Sequence, residues 1–177
     1  KHFGFEPIPV LYSELKKKYN HNVNIYPYAL SDRNGESKFH LVKNALAYSG
    51  INRRSYKIKN PEIEEISVQV KTLDEIIPTN KNIHLVKIDV EGGEFGVLKG
   101  AKNLLLTNKP IVIFEFGKGA SDYYGTSPID IFDFITKEIG YNIYSLKSFI
   151  NKNEPMSKVE FERCYNTNSE YYFIASI

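Results

Sequence analysis

A chain of 177 residues is about one domain, long enough to bury a core without disulfide or metal staples. With 42% hydrophobic, 14% aromatic and 25% charged residues it has the composition of a globular protein, which excludes disordered, collagen-like and coiled-coil classes. A formal charge of +2, from 23 basic and 21 acidic side chains, leaves no electrostatic footprint for nucleic acid, and the single cysteine, Cys164, excludes a disulfide framework or a multi-cysteine zinc site. No apolar run approaches the roughly 20 residues of a membrane span, and the first residues lack the basic start and apolar stretch of a signal peptide. The expectation is a soluble, cytoplasmic protein of one domain over residues 1–177, with no membrane span and no nucleic-acid partner. The opening Lys1-His-Phe-Gly-Phe5 reads as the tail of a strand already in progress, so the domain is expected to be incomplete at its N-terminus.

In chain order, a strand ends near Glu6 and a helix follows over Val10 to Tyr19, with Leu11 and Leu15 at i, i+4 spacing and Lys16 to Lys18 outward. Val23 to Leu30 reads as a strand. Asn34-Gly35 is a turn signal, and Glu36 to Val42 alternates like the second arm of a hairpin. Residues 44–61 have no period and read as a surface loop, with Arg53-Arg54 on a solvated face. Ile66 to Lys71 alternates again. Thr72 then caps a short helix, Leu73 to Ile77, with Glu75 placed as in a capping box and Pro78 as the stop. Ile83 to Val90 is a near-continuous apolar run, the pattern of a parallel strand buried on both faces. Gly92-Gly93 leads into a helix over Glu94 to Leu106. Pro110 to Phe116 is a second buried strand, and a Gly-rich segment, Gly117 to Gly125, reads as a flexible active-site loop. A helix over Pro128 to Ile139 is capped by Ser127 and ended by Gly140, and Tyr141 to Leu146 and Tyr171 to Ile177 are the last strands. This alternation predicts an α/β fold with a mostly parallel sheet, whose ligands bind beyond the carboxyl ends of its strands.

Three of those ends carry acids: Glu6, then Asp89 with Glu91, then Glu115. A carboxylate near the end of an early strand accepts hydrogen bonds from both hydroxyls of a ribose, and Glu6 suits that task; it equally suits an exposed turn. Asp89 and Glu91 stand at i, i+2 at the end of an apolar strand, where a buried acid needs a partner: a cationic ligand, a metal, Lys87, or the amides of the next helix. Capping accounts for Glu91 and Glu94 more readily than for Asp89, which is therefore the stronger functional candidate. The four histidines lack metal spacing, and neither a nucleophile elbow nor a phosphate-binding Gly-rich loop occurs. Gly117-Lys-Gly119 lacks the third glycine of a dinucleotide fingerprint. Tyr123-Tyr124 and Tyr171-Tyr172 read mainly as packing.

Five blocks in order, Phe5-Glu-Pro7, Ala29-Leu-Ser-Asp32 with Gly35, Thr72-Leu-Asp-Glu75, Val86 to Gly92 with Leu98-Lys-Gly-Ala101, and Pro110 to Glu115, resemble the FkbM family of S-adenosylmethionine-dependent methyltransferases from Phe5 to about Ile139. The resemblance implies a Rossmann-like class I methyltransferase sheet, mostly parallel with an antiparallel C-terminal strand and helices on both faces. It implies that Glu6 binds the ribose hydroxyls of the cofactor, that Ala29, Leu30, Ser31 and Asp32 lie beside the adenine, and that Asp89 lies near the methionine moiety and the methyl group. Glu91 and Glu115 would border the pocket of the acceptor, a sugar or another hydroxylated small molecule. The family's first strand and its Asp-x-Gly-Ala-Asn-x-Gly turn have no counterpart in this sequence, which leaves a gap of one strand between those ending at Glu6 and Asp89. Asp89 or Glu115 could act as general base, or the two together with Glu91 could hold a divalent cation, which the resemblance does not demand. The alternatives are an inactive or truncated methyltransferase-like domain, and another nucleotide-cofactor-binding α/β enzyme such as an oxidoreductase. A nucleic-acid methyltransferase is disfavoured by the near-neutral charge.

Overall fold

The computed structural model describes residues 2–19 and 21–177, and the reading of Lys1 as part of a strand lies outside them. Strand β1 (His2–Phe5) leads through Glu6 and Pro7 into helix α1 (Pro9–Tyr19), whose Leu11 and Leu15 are half-buried while its lysines face out. The strand expected over Val23 to Leu30 is two strands, β2 (Val23–Tyr26) and β3 (Tyr28–Leu30), which join different sheets. Pro27 separates them, since it has no N–H to continue a ladder.

Strand β4 (Gly35–Val42) does alternate, but its partner is not the preceding strand: it runs antiparallel to β5 (Ile63–Lys71), and β3 lies parallel on the other side of β5. The Asn-Gly step therefore closes no hairpin; the Asn34 side chain accepts a hydrogen bond from the Thr72 N–H at 2.9 Å. Between these strands, residues 44–61 carry a single 3-10 turn, Leu46–Tyr48. Helix α2 (Leu73–Ile76) lacks the expected capping box: Thr72 makes no side-chain cap, and Asp74 instead accepts from the backbone N–H groups of Asn103 and Leu104 at 2.9 and 2.8 Å. Those two residues open helix α4 (Lys102–Asn108), which is separate from α3 (Glu94–Lys99). The single helix expected over Glu94 to Leu106 is thus broken at Gly100-Ala101, where the chain passes close to other backbone.

Strand β6 (Leu85–Ile88) pairs in parallel with β7 (Ile111–Glu115). Burial of β6 on both faces does not hold: Ile88 is buried, but Leu85 is 57% exposed, because β7 is its only strand neighbour among the described residues. Helix α5 (Pro128–Asp133) has the predicted Ser127 cap, reinforced by Asp130 as a capping box, and continues as a π-helical turn to Ile139 before Gly140 ends it. After β8 (Asn142–Ser145) come two helices that strand patterning missed, α6 (Leu146–Ile150) and α7 (Lys158–Thr167). The last strand, β9 (Tyr172–Ser176), inserts between β7 and β8, antiparallel to both. The sheets run β1-β2, β3-β5-β4 and β6-β7-β9-β8, with three parallel and three antiparallel pairings, so the α/β fold is mixed rather than mostly parallel, and its C-terminal strand is antiparallel.

The main core packs around β7 and β9, where Phe114, Phe116, Phe161 and Phe173 are fully buried and the Phe161 and Phe173 rings meet at 4.7 Å. A smaller cluster of Ile8, Ala29, Phe39, Val68 and Val70 holds α1 against β3, β4 and β5. No helix among the described residues is long and apolar enough to cross a membrane.

Candidate active site

β1 and β6 are not hydrogen-bonded to each other; each has one strand partner among the described residues, and between them opens a cleft of about 1300 Å³. The carboxyl ends of both strands reach it, so Glu6, Asp89 and Glu91 share its lining with the whole segment Ala29 to Asp32. Seven of the eight sequence-predicted site residues thus converge on one cavity. Glu115 does not line it; it ends the adjacent strand β7 and donates a hydrogen bond to Asp89 when protonated.

Glu6 is half-buried, and its Oε1 accepts the Ile8 N–H at 2.8 Å, which fixes the carboxyl across the turn into α1. Burial pushes its pKa up, partly offset by that bond. On the far wall, the Ser31 N–H donates to the Lys71 carbonyl at 3.0 Å and Asp32 pairs with Lys99, whose hydrogen bond holds the Asp32 carboxyl below its usual range. Helix α3 approaches so closely that a Cβ on Gly100 would lie 2.0 Å from the Ser31 carbonyl oxygen and one on Gly96 2.9 Å from the Ser31 hydroxyl. These two glycines, one turn apart, set the position of the Ser31-Asp32 backbone.

Asp89 is not the buried acid the apolar run predicts: its side chain is 34% exposed, at the mouth of the cleft, and pairs with Lys87 Nζ at 2.7 Å. Glu91 has left the strand and stands at φ +59°, a left-handed conformation unusual for a glutamate. Gly92 follows at φ +109°, where a Cβ would lie 2.6 Å from the Ala120 backbone, so the turn after β6 seats against the segment after β7. Glu94, 2% exposed, folds back to accept the Val90 and Gly92 N–H groups at 3.1 and 3.0 Å; its role is to shape this turn. The predicted Gly117 to Gly125 loop is ordered by Asp122, which accepts the Gly119 N–H at 2.7 Å, and by a 3-10 turn over Ser121–Tyr124.

Sequence reading missed Arg54. Its side chain is only 9% exposed, pairs with Glu91, lies 5.2 Å over the Tyr48 ring and donates to the Gly119 carbonyl at 3.3 Å. An Arg-Arg step in a segment without period carries no signal for this; the flanking Tyr48 and Tyr56 are the only hint. Asp89 and Glu91 thus each have a cationic partner, Lys87 and Arg54 respectively. Among the described residues no group of three or more acidic, histidine or cysteine side chains is arranged to hold a metal ion, so the cation site considered for Asp89, Glu91 and Glu115 is not formed.

Burial, and then the charges of Asp89, Glu91 and Glu94, push the Glu115 carboxyl from 4.5 up to about 7. The folded chain therefore keeps a proton that the unfolded chain loses near pH 4.5, and this site's contribution to stability falls as pH rises from about 4.5 through about 7. Glu115→Gln, which mimics the neutral form, is expected to raise stability by about 1 kcal/mol above pH 7, after allowance for solvent screening, and to change it little near pH 4.5. Thermal melts of both proteins across this range check it; parallel curves would remove Glu115 from the pH dependence.

The family described as the methyltransferase FkbM domain matches residues 1–143. No curated protein matches the chain. Among solved structures, the FkbM methyltransferase from Methylobacillus flagellatus KT is similar over 98% of this chain and 36% of its own, with a TM-score of 0.53 at 14% identity, so the present chain spans about a third of that protein's length and shares its fold. The family match covers most of the sequence, and the α/β architecture agrees with it: the chain belongs to the FkbM methyltransferase domain family.

Proposed function

We propose that the cleft binds S-adenosylmethionine and that the protein transfers a methyl group from it to a hydroxyl of a sugar or another hydroxylated small molecule. The observation that carries this reading is the convergence of Glu6, the Ala29 to Asp32 wall and Asp89, from three strand ends, on one cavity of about 1300 Å³. That volume exceeds the roughly 300–1,000 Å³ usual for a single small ligand. The donor set fits the cofactor: a fixed carboxylate for ribose hydroxyls, an apolar wall at Ala29 and Leu30 for a base, and acids near the place of a sulfonium charge.

S-adenosylmethionine supplies an electrophilic methyl group. In the proposed reaction the protein's own contribution is alignment: Glu6 orients the ribose end, and Asp89 at the mouth accepts the proton of the acceptor hydroxyl as its oxygen attacks. Glu115, hydrogen-bonded to Asp89, holds the neighbouring proton and sets the direction of the Asp89 carboxylate. In the same reading, a strand carrying the family's glycine-rich turn would fit between β1 and β6, each of which has a single strand neighbour among the described residues.

The test is calorimetric titration of S-adenosylmethionine and S-adenosylhomocysteine into the 177-residue chain and into the same chain extended ahead of Lys1 by a strand ending in Asp-x-Gly-Ala-Asn-x-Gly. Binding is expected in the extended form; if neither form binds either ligand, the cofactor reading fails and the domain is a methyltransferase-like fold used otherwise. In the binding-competent form, Glu6→Ala is expected to weaken S-adenosylmethionine about 10- to 100-fold through loss of charge-assisted hydrogen bonds, and unchanged affinity would take Glu6 out of the site.

A further inference from the structure

Residues 44–61 do not lie on the surface as a passive connection. Three hydrogen bonds tie them across the site: the Asn52 N–H donates to the Tyr124 hydroxyl at 3.1 Å, the Asn52 side chain to the Tyr123 carbonyl at 2.9 Å, and Arg54 to the Gly119 carbonyl at 3.3 Å. At the centre of this bracket the Arg54 guanidinium meets Glu91, the residue whose backbone is held left-handed at φ +59°. A non-glycine residue persists in that conformation only where its surroundings over-determine it. Here they do so through an ion pair between residues 37 positions apart. Tyr48 supports the guanidinium from one face, and Tyr56 packs edge-on against Tyr48 at 6.4 Å. The bracket is also imperfectly satisfied, with Arg54 Nε and the Tyr56 hydroxyl buried without hydrogen-bond partners among the described residues, a cost that a purely architectural contact would shed.

We propose that Arg54 is a positioning residue of the site: by pairing with Glu91 it fixes the turn after β6, and with it the carboxylates that face the acceptor, and it docks Ser49 to Arg54 as the wall of the acceptor side. Its meaning for catalysis rests on the methyltransferase reading, but the contact itself does not. Ser49, Ile51, Asn52 and Glu91 all line the cleft, so moving this wall changes the acceptor's space rather than the Glu6 end. The charged groups that act on the Glu91 carboxylate or are acted on by it are Arg54, Asp89 with its partner Lys87 from the β6 segment, Glu94 from α3 and Glu115 from β7, and Tyr124 from the turn after β7 lies in the field of Arg54. Arg54 is the cation paired with Glu91, and it opposes the burial that pushes the Glu91 carboxyl up.

The test compares Arg54→Lys and Arg54→Met in the full chain. Titrations of the glutamate carboxyls, followed by NMR on carbon-13-labelled protein, are expected to show the Glu91 midpoint rising by about one unit or more in Arg54→Met, as follows from removing an opposite charge at contact distance, with most of the shift recovered in Arg54→Lys. Amide exchange at Asn52 is expected to quicken at least tenfold in Arg54→Met only. A Glu91 midpoint unmoved in Arg54→Met, or equal effects in both variants, would overturn the proposal. If Arg54→Met does not fold, Glu91→Gln is read instead: faster Asn52 exchange supports the tether, and unchanged exchange overturns it. Calorimetry of S-adenosylmethionine is run on the binding-competent wild type in parallel, so absence of binding there would count against the proposed activity while leaving the Arg54 result to stand or fall by itself.

Discussion

Asp89→Asn is expected to lower methyl transfer about 10²- to 10⁴-fold, the span typical of removing a positioned general base, while leaving the fold intact. The stability half of this expectation follows from exposure. The Asp89 side chain is 34% exposed and its partner Lys87 58% exposed, and an ion pair in that setting contributes about 0 to 1 kcal/mol. The amide also removes one of the charges that raise the Glu115 carboxyl, so the Glu115 midpoint should move down from about 7 in the same variant. Methyl transfer followed by mass spectrometry, thermal melts and the Glu115 titration together separate a chemical role from a structural one. Undiminished turnover with a shifted Glu115 would remove Asp89 from the reaction while confirming its place beside that residue.

Gly100→Ala is expected to cost about 3 kcal/mol of stability, at the upper end of overpacking effects, because the added methyl group would sit 2.0 Å from the Ser31 carbonyl oxygen and 3.0 Å from its carbon. Both atoms are backbone, so no rotamer change relieves the clash. Nor is Gly100 free to retreat: its N–H donates to the Gly96 carbonyl at 2.9 Å, its carbonyl accepts from Asp74 N at 2.9 Å, and Ala101 beside it is fully buried. The segment that yields is then Ser31-Asp32, which lines the cleft, and affinity for S-adenosylmethionine should fall along with stability. Gly119→Ala is the control, since a Cβ there meets nothing within 4 Å and only the positive φ of +97° opposes it, a cost of about 1 kcal/mol. Urea unfolding of the three proteins measures the difference. Equal midpoints for Gly100→Ala and wild type would mean that the approach of α3 to Ser31 is loose in solution.

Much of the site was legible because strand ends announce themselves locally. The apolar run closing on Glu115 and the cap at Ser127 depend on neighbours in sequence, and both stand where pattern placed them. The acids at the ends of β1 and β6 could be assigned to one cavity from the rule that ligands gather at carboxyl ends. The failures share a different cause. Strand β4 alternates whichever neighbour it has, so alternation could not say that β5, rather than the preceding strand, would pair with it. Helix α7 carries a local signal, a Ser157–Glu160 capping box with apolar positions at Phe161, Cys164 and Tyr165, that strand alternation does not register.

What the sequence by itself determined is therefore most of the strands, the cap at Ser127 and the carboxylates at the strand ends, since periodicity, caps and terminal acids are properties of a few adjacent residues. The tertiary structure alone decided that Asp89 is exposed at a mouth rather than buried, that a helix breaks where Gly100 meets Ser31, and that Arg54 leaves solvent to meet Glu91. Each of those outcomes depends on a contact between segments tens of residues apart. The free energy of burying a charge or a backbone carbonyl there is set by the partner that folding brings, and no local pattern contains that partner.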